Sequence, residues 1–361
     1  MLAQFDTLMR RSYDRALLVG SYVGSIVWSH EAKNMTAAIV LMFSVLSFIL
    51  AAAVPSSAAE KLRVAYPTLG PGSTPSWVTH ETGFWKKSGL DVELILLSGG
   101  ARMLPALISG SVDMILGSDT GVTLANLQGA NLVRIGVTMN SLGYSLVTQP
   151  AIRSIQDLKG KVLGTGRGRD ASYARLVKIL SDNGLNPATD VKFLPIGETP
   201  TGRLQAIKSG LVHGAVFTPP LDLVGSRDGL RILHKIDVPT LGGGINTTAP
   251  LVQQNRKALL MFLRAYMEGI RYTITHKAES LKVFFKYFRN PDSEALTYLY
   301  DDTAPRIQKD LRPNPESVRS ILEQIAVDDP RAKQLSVKDH WNLTLLDEIK
   351  NSGFVEKLYK Q

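Results

Sequence analysis

The sequence predicts an α/β protein of two lobes, each built on a doubly wound, mainly parallel sheet, with a helical tail at the C-terminus. Apolar runs alternate with helical patterns from residue 61, as in parallel sheets covered on both faces. The alternation starts again after residue 152. From Ala249 onward, apolar residues recur at three- and four-residue spacing, which indicates amphipathic helices. A length of 361 residues exceeds one ordinary core and fits two lobes.

An export signal is predicted at the N-terminus. Segment 36–54 contains no charged residue and is followed by small residues at Ser57 and Ala59. This pattern is typical of a secretory signal peptide cleaved after Ala59, so residues 1–59 form a predicted leader. A retained membrane anchor is the alternative, because the apolar stretch is just long enough to span a bilayer. The long preamble leaves both Met1 and Met35 open as the start of translation.

Composition excludes several classes of function. A hydrophobic fraction of 44% and a charged fraction of 20% indicate a globular chain. The formal net charge of +9 is spread along the chain without a charge block or a nucleic-acid motif, so no nucleic-acid partner is expected. The absence of cysteine excludes disulfides, thiolate metal sites and a lipid-modified N-terminal cysteine. We therefore expect a freely diffusing, monomeric periplasmic protein with no metal and no cofactor.

The first lobe alternates strands and helices in chain order. Strands are predicted at 61–67, 91–97, 112–117 and 131–138, and helices at 76–89, 101–110 and 119–128. In the second lobe, strands are predicted at 158–166, 190–197, 212–220 and 230–236, and helices at 170–183 and 199–209. Tail helices are predicted near 256–277, 277–288, 292–302, 315–326 and 342–358.

Two segments, near 140–148 and 240–248, connect the units. Two connections imply a discontinuous lobe and a hinge. The predicted division assigns residues 60–143 and 247–361 to lobe 1 and residues 144–246 to lobe 2.

The loops after the predicted strands are rich in Gly, Ser and Thr. Ligands of open parallel sheets bind at the carboxyl ends of the strands, where helix N-termini offer free N–H groups. Any strand-to-helix loop needs turn residues, so one such loop alone favours a structural explanation. Five in succession favour a ligand cleft between the lobes. The candidate ligand-binding residues are Tyr66, Thr68, Trp77, Ser98, Gly99, Gly100, Arg102, Ser118, Asp119, Thr120, Thr165, Gly166, Arg169, Ser172, Glu198 and Thr218.

The candidate residues leave two ligand classes open. Arg102 and Arg169 could clamp a sulfonate, nitrate-like or carboxylate anion in bidentate fashion. Tyr66 and Trp77 offer flat apolar contact, and Glu198 favours an amine-bearing ligand such as a pyrimidine.

An enzymatic alternative finds little support in the motifs. Segment 164–169, "GTGRGR", follows a predicted strand like a dinucleotide-binding loop, but Arg169 stands where the third glycine belongs. The sequence contains no P-loop, no zinc-binding His-Glu-x-x-His motif and no nucleophile elbow. No catalytic residue is therefore predicted.

A run of segments resembles a known family. Residues 81–118 and 157–197, then "RLQAIKSGLVHGAVFTPP" (203–220) and "FLRAYMEGIRY" (262–272), are similar in order to solute-binding proteins of the nitrate/sulfonate/taurine transport type, within the thiamine-pyrimidine synthesis-like superfamily. The resemblance covers about residues 61–290. His213 departs from it, because an acidic residue is usual there. The absence of cysteine departs from the enzymatic branch of the superfamily.

The resemblance implies a type II periplasmic binding protein fold, in which two lobes close on a ligand like a Venus flytrap. It implies that a small molecule, with an anion favoured, is captured between the lobes and delivered to the membrane permease of an ABC importer. The alternatives are a protein that binds pyrimidines or thiamine precursors, and a membrane-anchored ligand sensor of the same fold.

Overall fold

Eight strands and the helices that connect them follow the predicted order. The computed structural model describes residues 59–98, 100–167, 170–197, 199–288, 292–327, 329–336 and 341–360. The predicted signal peptide lies outside these residues. The strands are β1 (Glu60–Tyr66), β2 (Leu90–Leu96), β3 (Met114–Leu116), β4 (Leu132–Thr148), β5 (Val162–Thr165), β6 (Lys192–Pro195), β7 (Gly214–Phe217) and β8 (Arg231–Thr248).

The helices cover the sheet and form the tail. Those between the strands are α1 (Thr74–Glu81), α2 (Phe84–Lys87), α3 (Gly100–Ile108), α4 (Asp119–Leu127), α5 (Ala171–Asp182), α6 (Pro200–Lys208) and α7 (Leu221–Arg227). The tail contains α8 (Ala249–Gln254), α9 (Arg256–Thr275), α10 (Lys277–Phe288), α11 (Ser293–Thr303), α12 (Pro315–Ala326), α13 (Thr344–Asn351) and α14 (Phe354–Lys360). Side-chain oxygens cap the N-termini of several helices. Asp170 accepts from Tyr173 N at 3.1 Å at the start of α5, and Asn314 accepts from Ser317 N at 2.7 Å at the start of α12.

The strand order is β2-β1-β3-β8-β4-β7-β5-β6. Strands β1, β2 and β3 are parallel to one another, and so are β5, β6 and β7. The two long strands β4 and β8 pair antiparallel from Leu132↔Thr248 to Thr148↔Arg231. One end of this ribbon continues the β1–β3 half and the other end continues the β5–β7 half, so the predicted α/β class is confirmed. The two segments predicted as connections, 140–148 and 240–248, form the C-terminal halves of β4 and β8.

Separate apolar cores stabilise the two halves. Tail helix α9 packs on the first half, where the Trp85 ring stacks on Phe262 at 5.0 Å and Tyr266 is fully buried. Burial of an aromatic or aliphatic side chain of this size contributes about 1.5–3 kcal/mol. The core of the second half contains Leu163 and Leu176 from β5 and α5. The tail is therefore part of the first half, although the middle of the chain separates them.

The structure corrects the predicted elements at three places. The helix predicted at 76–89 is interrupted at Gly83, whose φ of 72° is left-handed, and α1 and α2 result. The helix predicted at 342–358 is divided in the same way at Gly353, with φ 67°. Helix α7 was not predicted, because Pro219 and Pro220 ahead of it indicate a break, whereas prolines also fit the first turn of a helix.

None of the helices in the described part of the chain combines the length and the apolar character needed to cross a bilayer.

Candidate functional site

The strand register brings the loops of the first half to one edge. Strand β1 pairs in parallel with β2 as far as Tyr66↔Leu96, and it also pairs in parallel with β3. The loops after these strands therefore begin side by side. Gly117, directly after β3, donates its N–H to Gly244 O at 2.7 Å. Because β3 runs antiparallel to β8 from Ile115↔Asn246 to Leu116↔Ile245, this edge faces the centre of the β4–β8 ribbon.

The second half faces the same centre from the opposite direction. Strands β5 and β6 end together at Thr165↔Pro195, and β7 pairs in parallel with β5. Strand β7 runs antiparallel to β4 from Thr148↔Gly214 to Ser145↔Phe217, and so points from the end of β4 toward its middle. The carboxyl ends of all six short strands are therefore directed toward the ribbon centre. This is the convergence that a ligand cleft between the halves requires.

The loop after β1 and the loop after β7 come close to each other across this gap. A methyl group placed on Gly70 would lie 3.3 Å from Thr68 Oγ1 and 4.0 Å from Thr218 Oγ1. Thr68 follows β1 and Thr218 follows β7, and both are half-buried. The structure therefore brings these two predicted residues together.

The third loop, which follows β3, leads directly into the N-terminus of α4. Ser118 adopts a left-handed conformation with φ 62° and precedes α4 without a side-chain capping hydrogen bond. Left-handed backbone at a residue other than glycine is strained and often marks a ligand site. Ser118 and Thr120 are half-buried. These two predicted residues are therefore placed where the free N–H groups and the dipole of α4 favour an anion.

Asp119 has a structural role that the sequence prediction missed. Its Oδ1 accepts from Arg134 Nε at 3.2 Å, and both side chains are at least 96% buried. Burial raises the pKa of Asp119 and lowers the pKa of Arg134, whereas their mutual attraction opposes both shifts. The ligand contact at Asp119 stays a prediction, and in the structure its carboxylate is paired with Arg134.

Side-chain hydrogen bonds link described residues at the two ends of the fourth loop, which follows β5. Ser172 Oγ accepts from Gly166 N at 2.9 Å and donates to Asp170 Oδ1 at 2.6 Å. Thr165 Oγ1 donates to Gly166 O at 3.2 Å, and the Asp170 carboxylate lies against Gly166. The hydroxyls of Thr165 and Ser172 are thus engaged in hydrogen bonds within the described part of this loop, and the Asp170 carboxylate lies against Gly166. The ligand contacts at Thr165, Gly166 and Ser172 stay predictions.

The predicted aromatic contacts belong to the core. Trp77 is 0% exposed and stacks on Tyr287 of α10 at 4.9 Å. Tyr66 packs edge-on against Trp77 with ring centres 6.1 Å apart, and burial raises its pKa. Both side chains are buried in the structure, and the flat ligand contacts at Tyr66 and Trp77 stay predictions. Helix α10, which is distant in sequence, packs against the Trp77 ring.

The remaining candidates lie on the surface or outside the described residues. Ser98 and Arg102, at the second loop, are exposed, and Gly100 is the first residue of α3. Gly99, Arg169 and Glu198 lie outside the described residues. His213 lies before β7, at the edge away from the cleft, where its Nδ1 accepts from Val162 N at 3.3 Å.

A buried arginine that was not predicted lies at the cleft edge of the second half. Arg203 is in the first turns of α6, is 6% exposed, and has no hydrogen-bond partner for Nε or Nη1 among the described residues. Sequence pattern offered only a weak signal, because "TGRLQ" reads like an ordinary solvent-facing turn.

A polar pocket of about 400 Å³ adjoins the ribbon centre. It lies between Ser145 of β4, Lys235 of β8, Asp222 of α7 and Tyr298 of α11. The described residues contain no group of three or more histidines, aspartates or glutamates that could hold a metal ion.

Comparisons with known proteins agree with this arrangement. A model of the family described as NMT1/THI5 like matches residues 70–280. The riboflavin-binding protein RibY of Chloroflexus aurantiacus is 26% identical over 174 residues, which are 47% of this chain and 49% of that protein. This match thus spans about half of the relative. An Escherichia coli protein described as aliphatic sulfonates-binding is 24% identical over 290 residues, which are 79% of this chain and 87% of that protein.

Solved structures share the fold. The periplasmic aliphatic sulphonate binding protein SsuA of Escherichia coli superposes with a TM-score of 0.64 at 20% identity, over 78% of this chain and 91% of that one. The desulfurization enzyme DSZB superposes with a TM-score of 0.62 at 14% identity, over 81% and 99% of the two chains. The fold is that of a periplasmic binding protein. Because the family model matches more than half of the chain, this protein belongs to the NMT1/THI5-like family.

Proposed function

We propose that this protein is an extracytoplasmic solute-binding protein that captures a small molecule and delivers it to the permease of an ABC importer. The observation that carries the proposal is the convergence of six strand ends on the centre of one antiparallel ribbon. Loops that converge in this way leave a gap lined by backbone N–H groups and hydroxyls, as small-solute sites require.

Capture is proposed to proceed by closure of two lobes. Lobe 1 would contain residues 60–143 and 247–361, and lobe 2 residues 144–246, so that both boundaries fall within β4 and β8. These strands are the only covalent connections between the two proposed lobes. A ligand that contacts both lobes would favour the closed state, because those contacts exist only there.

An organic anion is the proposed ligand class. The half-buried Ser118 and Thr120 surround the N-terminus of α4, where partial positive charge favours an oxyanion. The relative that matches most of this chain is described as binding aliphatic sulfonates. A flat heteroaromatic ligand is the second candidate, because another relative is described as a riboflavin-binding protein.

A binding role is proposed rather than catalysis. The fold alone does not decide, because a desulfurization enzyme shares it. This chain contains no cysteine and therefore no thiol nucleophile. Titration calorimetry tests both proposals. We expect one molecule of an alkanesulfonate such as MOPS or ethanesulfonate, or else of riboflavin, to bind per chain and to be recovered unchanged. Chemical turnover of a bound compound would contradict the binding role.

A further inference from the structure

Arg203 lies in the turn of α6 that is nearest to the cleft edge of the second half. Helix α6 begins at Pro200, directly after the loop that follows β6, and Arg203 is its fourth residue. Long side chains of helices point back toward the helix N-terminus, and the N-terminus of α6 lies at the carboxyl ends of the parallel strands. Asp170, at the start of α5, is the charged neighbour that acts on Arg203, which places the guanidinium beside the fourth loop.

The Arg203 guanidinium is buried with fewer hydrogen-bond partners than the buried Arg175 has. Arg203 Nε and Nη1 both lack a hydrogen-bond partner among the described residues. Arg175 leaves only Nε without a partner there, because it donates from Nη1 to Gln324 Oε1 and from Nη2 to Thr240 Oγ1, both at 3.1 Å. Buried polar groups in folded proteins are nearly always paired, so two free donors on one buried cation require an explanation.

Asp170 does not satisfy this charge. Its Oδ1 accepts from Ser172 Oγ and Tyr173 N, and its other oxygen lies against Gly166. Burial lowers the pKa of Arg203 and the attraction of Asp170 only partly opposes this shift, although an arginine remains charged at neutral pH. A buried cation therefore lies near the cleft edge with two donors that have no partner in the described part of the chain.

We propose that Arg203 is the residue of the second half that anchors an oxyanion, and that it selects sulfonate or carboxylate groups for the cleft. This inference rests on the proposed solute-binding function. Two donors of one guanidinium match two oxygens of a sulfonate or carboxylate in a fork geometry. The N-terminus of α6 adds to the attraction for an oxyanion, because the Thr199 side chain makes no capping hydrogen bond and leaves the N-terminal N–H groups free of it.

A cation kept for ligand binding is unfavourable for the empty protein. Replacement of an unpaired buried charge by an apolar side chain of similar length is expected to stabilise the fold. The proposal therefore predicts opposite effects of one substitution on stability and on affinity, whereas a purely structural arginine would lose stability when replaced.

The test compares Arg203→Met with Lys208→Met. Lys208 is an exposed cation in the last turn of the same helix, paired with Asp228 at 2.9 Å and far from the helix N-terminus. Calorimetry uses ethanesulfonate, MOPS and acetate as oxyanions and riboflavin as a larger heteroaromatic probe. We expect Arg203→Met to weaken oxyanion binding about 100-fold or more and to raise the melting temperature of the empty protein by about 2 °C or more. Lys208→Met should change oxyanion affinity less than about threefold.

The outcomes separate the two proposals. Oxyanion binding within threefold of wild type in Arg203→Met overturns the assignment of Arg203 and leaves the solute-binding function standing. Binding of riboflavin but of no oxyanion by the wild type has the same consequence. Binding of no probe at all overturns both. If Arg203→Met fails to fold, Arg203→Lys, which keeps the charge without the fork, decides between the two roles. An anchoring role predicts a loss of oxyanion affinity of about tenfold in Arg203→Lys, whereas binding as in wild type overturns the assignment.

Discussion

The Tyr298 hydroxyl donates to Asp222 Oδ2 at 2.8 Å and joins the tail helix α11 to α7 of the second half. The same carboxylate oxygen accepts from Ser145 Oγ at 2.6 Å, and Asp222 is fully buried. Lys235 Nζ donates to Tyr298 Oη at 3.2 Å. Arg227, at the end of α7, forms ion pairs with Asp292 and Glu294 at the start of α11. Helix α11 therefore connects the tail, which packs on the first half, to the second half.

Tyr298→Phe should weaken this connection. The change removes one of two hydroxyl donors from a fully buried carboxylate, so the free energy of unfolding should fall by about 1–3 kcal/mol. Urea denaturation measures the change. Tyr287→Phe is the matched control, because the Tyr287 hydroxyl donates to Glu81 in an exposed contact of 3.3 Å and has no other hydrogen bond among the described residues. Equal stabilities of the two variants would show that the Tyr298 contact contributes nothing.

Gly243→Ala should disturb the β4–β8 ribbon at the point where Gly72, in the loop after β1, packs against it. Gly243 has φ 67°, and an added methyl group would lie 2.7 Å from Gly72 O and 3.0 Å from Thr138 Oγ1. Gly83→Ala is the control, because its φ of 72° is similar and nothing lies within 4 Å of the added methyl group. The control should cost about 1–2 kcal/mol for the left-handed backbone alone, and Gly243→Ala should cost clearly more. A smaller loss at Gly243 would refute the close approach.

Arg134→Met should leave the Asp119 carboxylate buried and unpaired. Loss of one partner of a buried pair costs about 3–5 kcal/mol at neutral pH. Since burial raises the folded-state pKa of Asp119 above its unfolded value, protonation relieves part of this loss. The variant should therefore gain stability relative to wild type as the pH falls through the folded pKa of Asp119, and the gain should be complete below its unfolded pKa, near 3.8. A stability difference that is constant with pH would contradict this explanation.

N-terminal sequencing of the exported protein tests the predicted leader. Cleavage after Ala59 gives a protein that begins at Glu60. This protein should be released from the membranes when they are washed. An N-terminus upstream of residue 36, together with retention in the membrane, would favour the anchored sensor instead.

Periodicity predicted the order of the strands and most helices, because each buries one face locally. It also predicted which loops meet, because the carboxyl ends of parallel strands share an edge. The side chains that line the site could not be predicted in this way. Trp77 is covered by Tyr287 of the distant α10, and Asp119 is paired with Arg134 on the neighbouring β4. Arg203 looks like a surface cation in sequence, and only the packing of α6 shows that it is buried.

The most direct test of capture by lobe closure is small-angle X-ray scattering of the purified protein, with and without a solute of calorimetrically proven affinity. Closure around a ligand predicts a smaller radius of gyration and maximum dimension at saturating ligand, with no change when a non-binding solute is added. Scattering curves that coincide in the presence and absence of the bound solute would contradict closure of two lobes on a ligand.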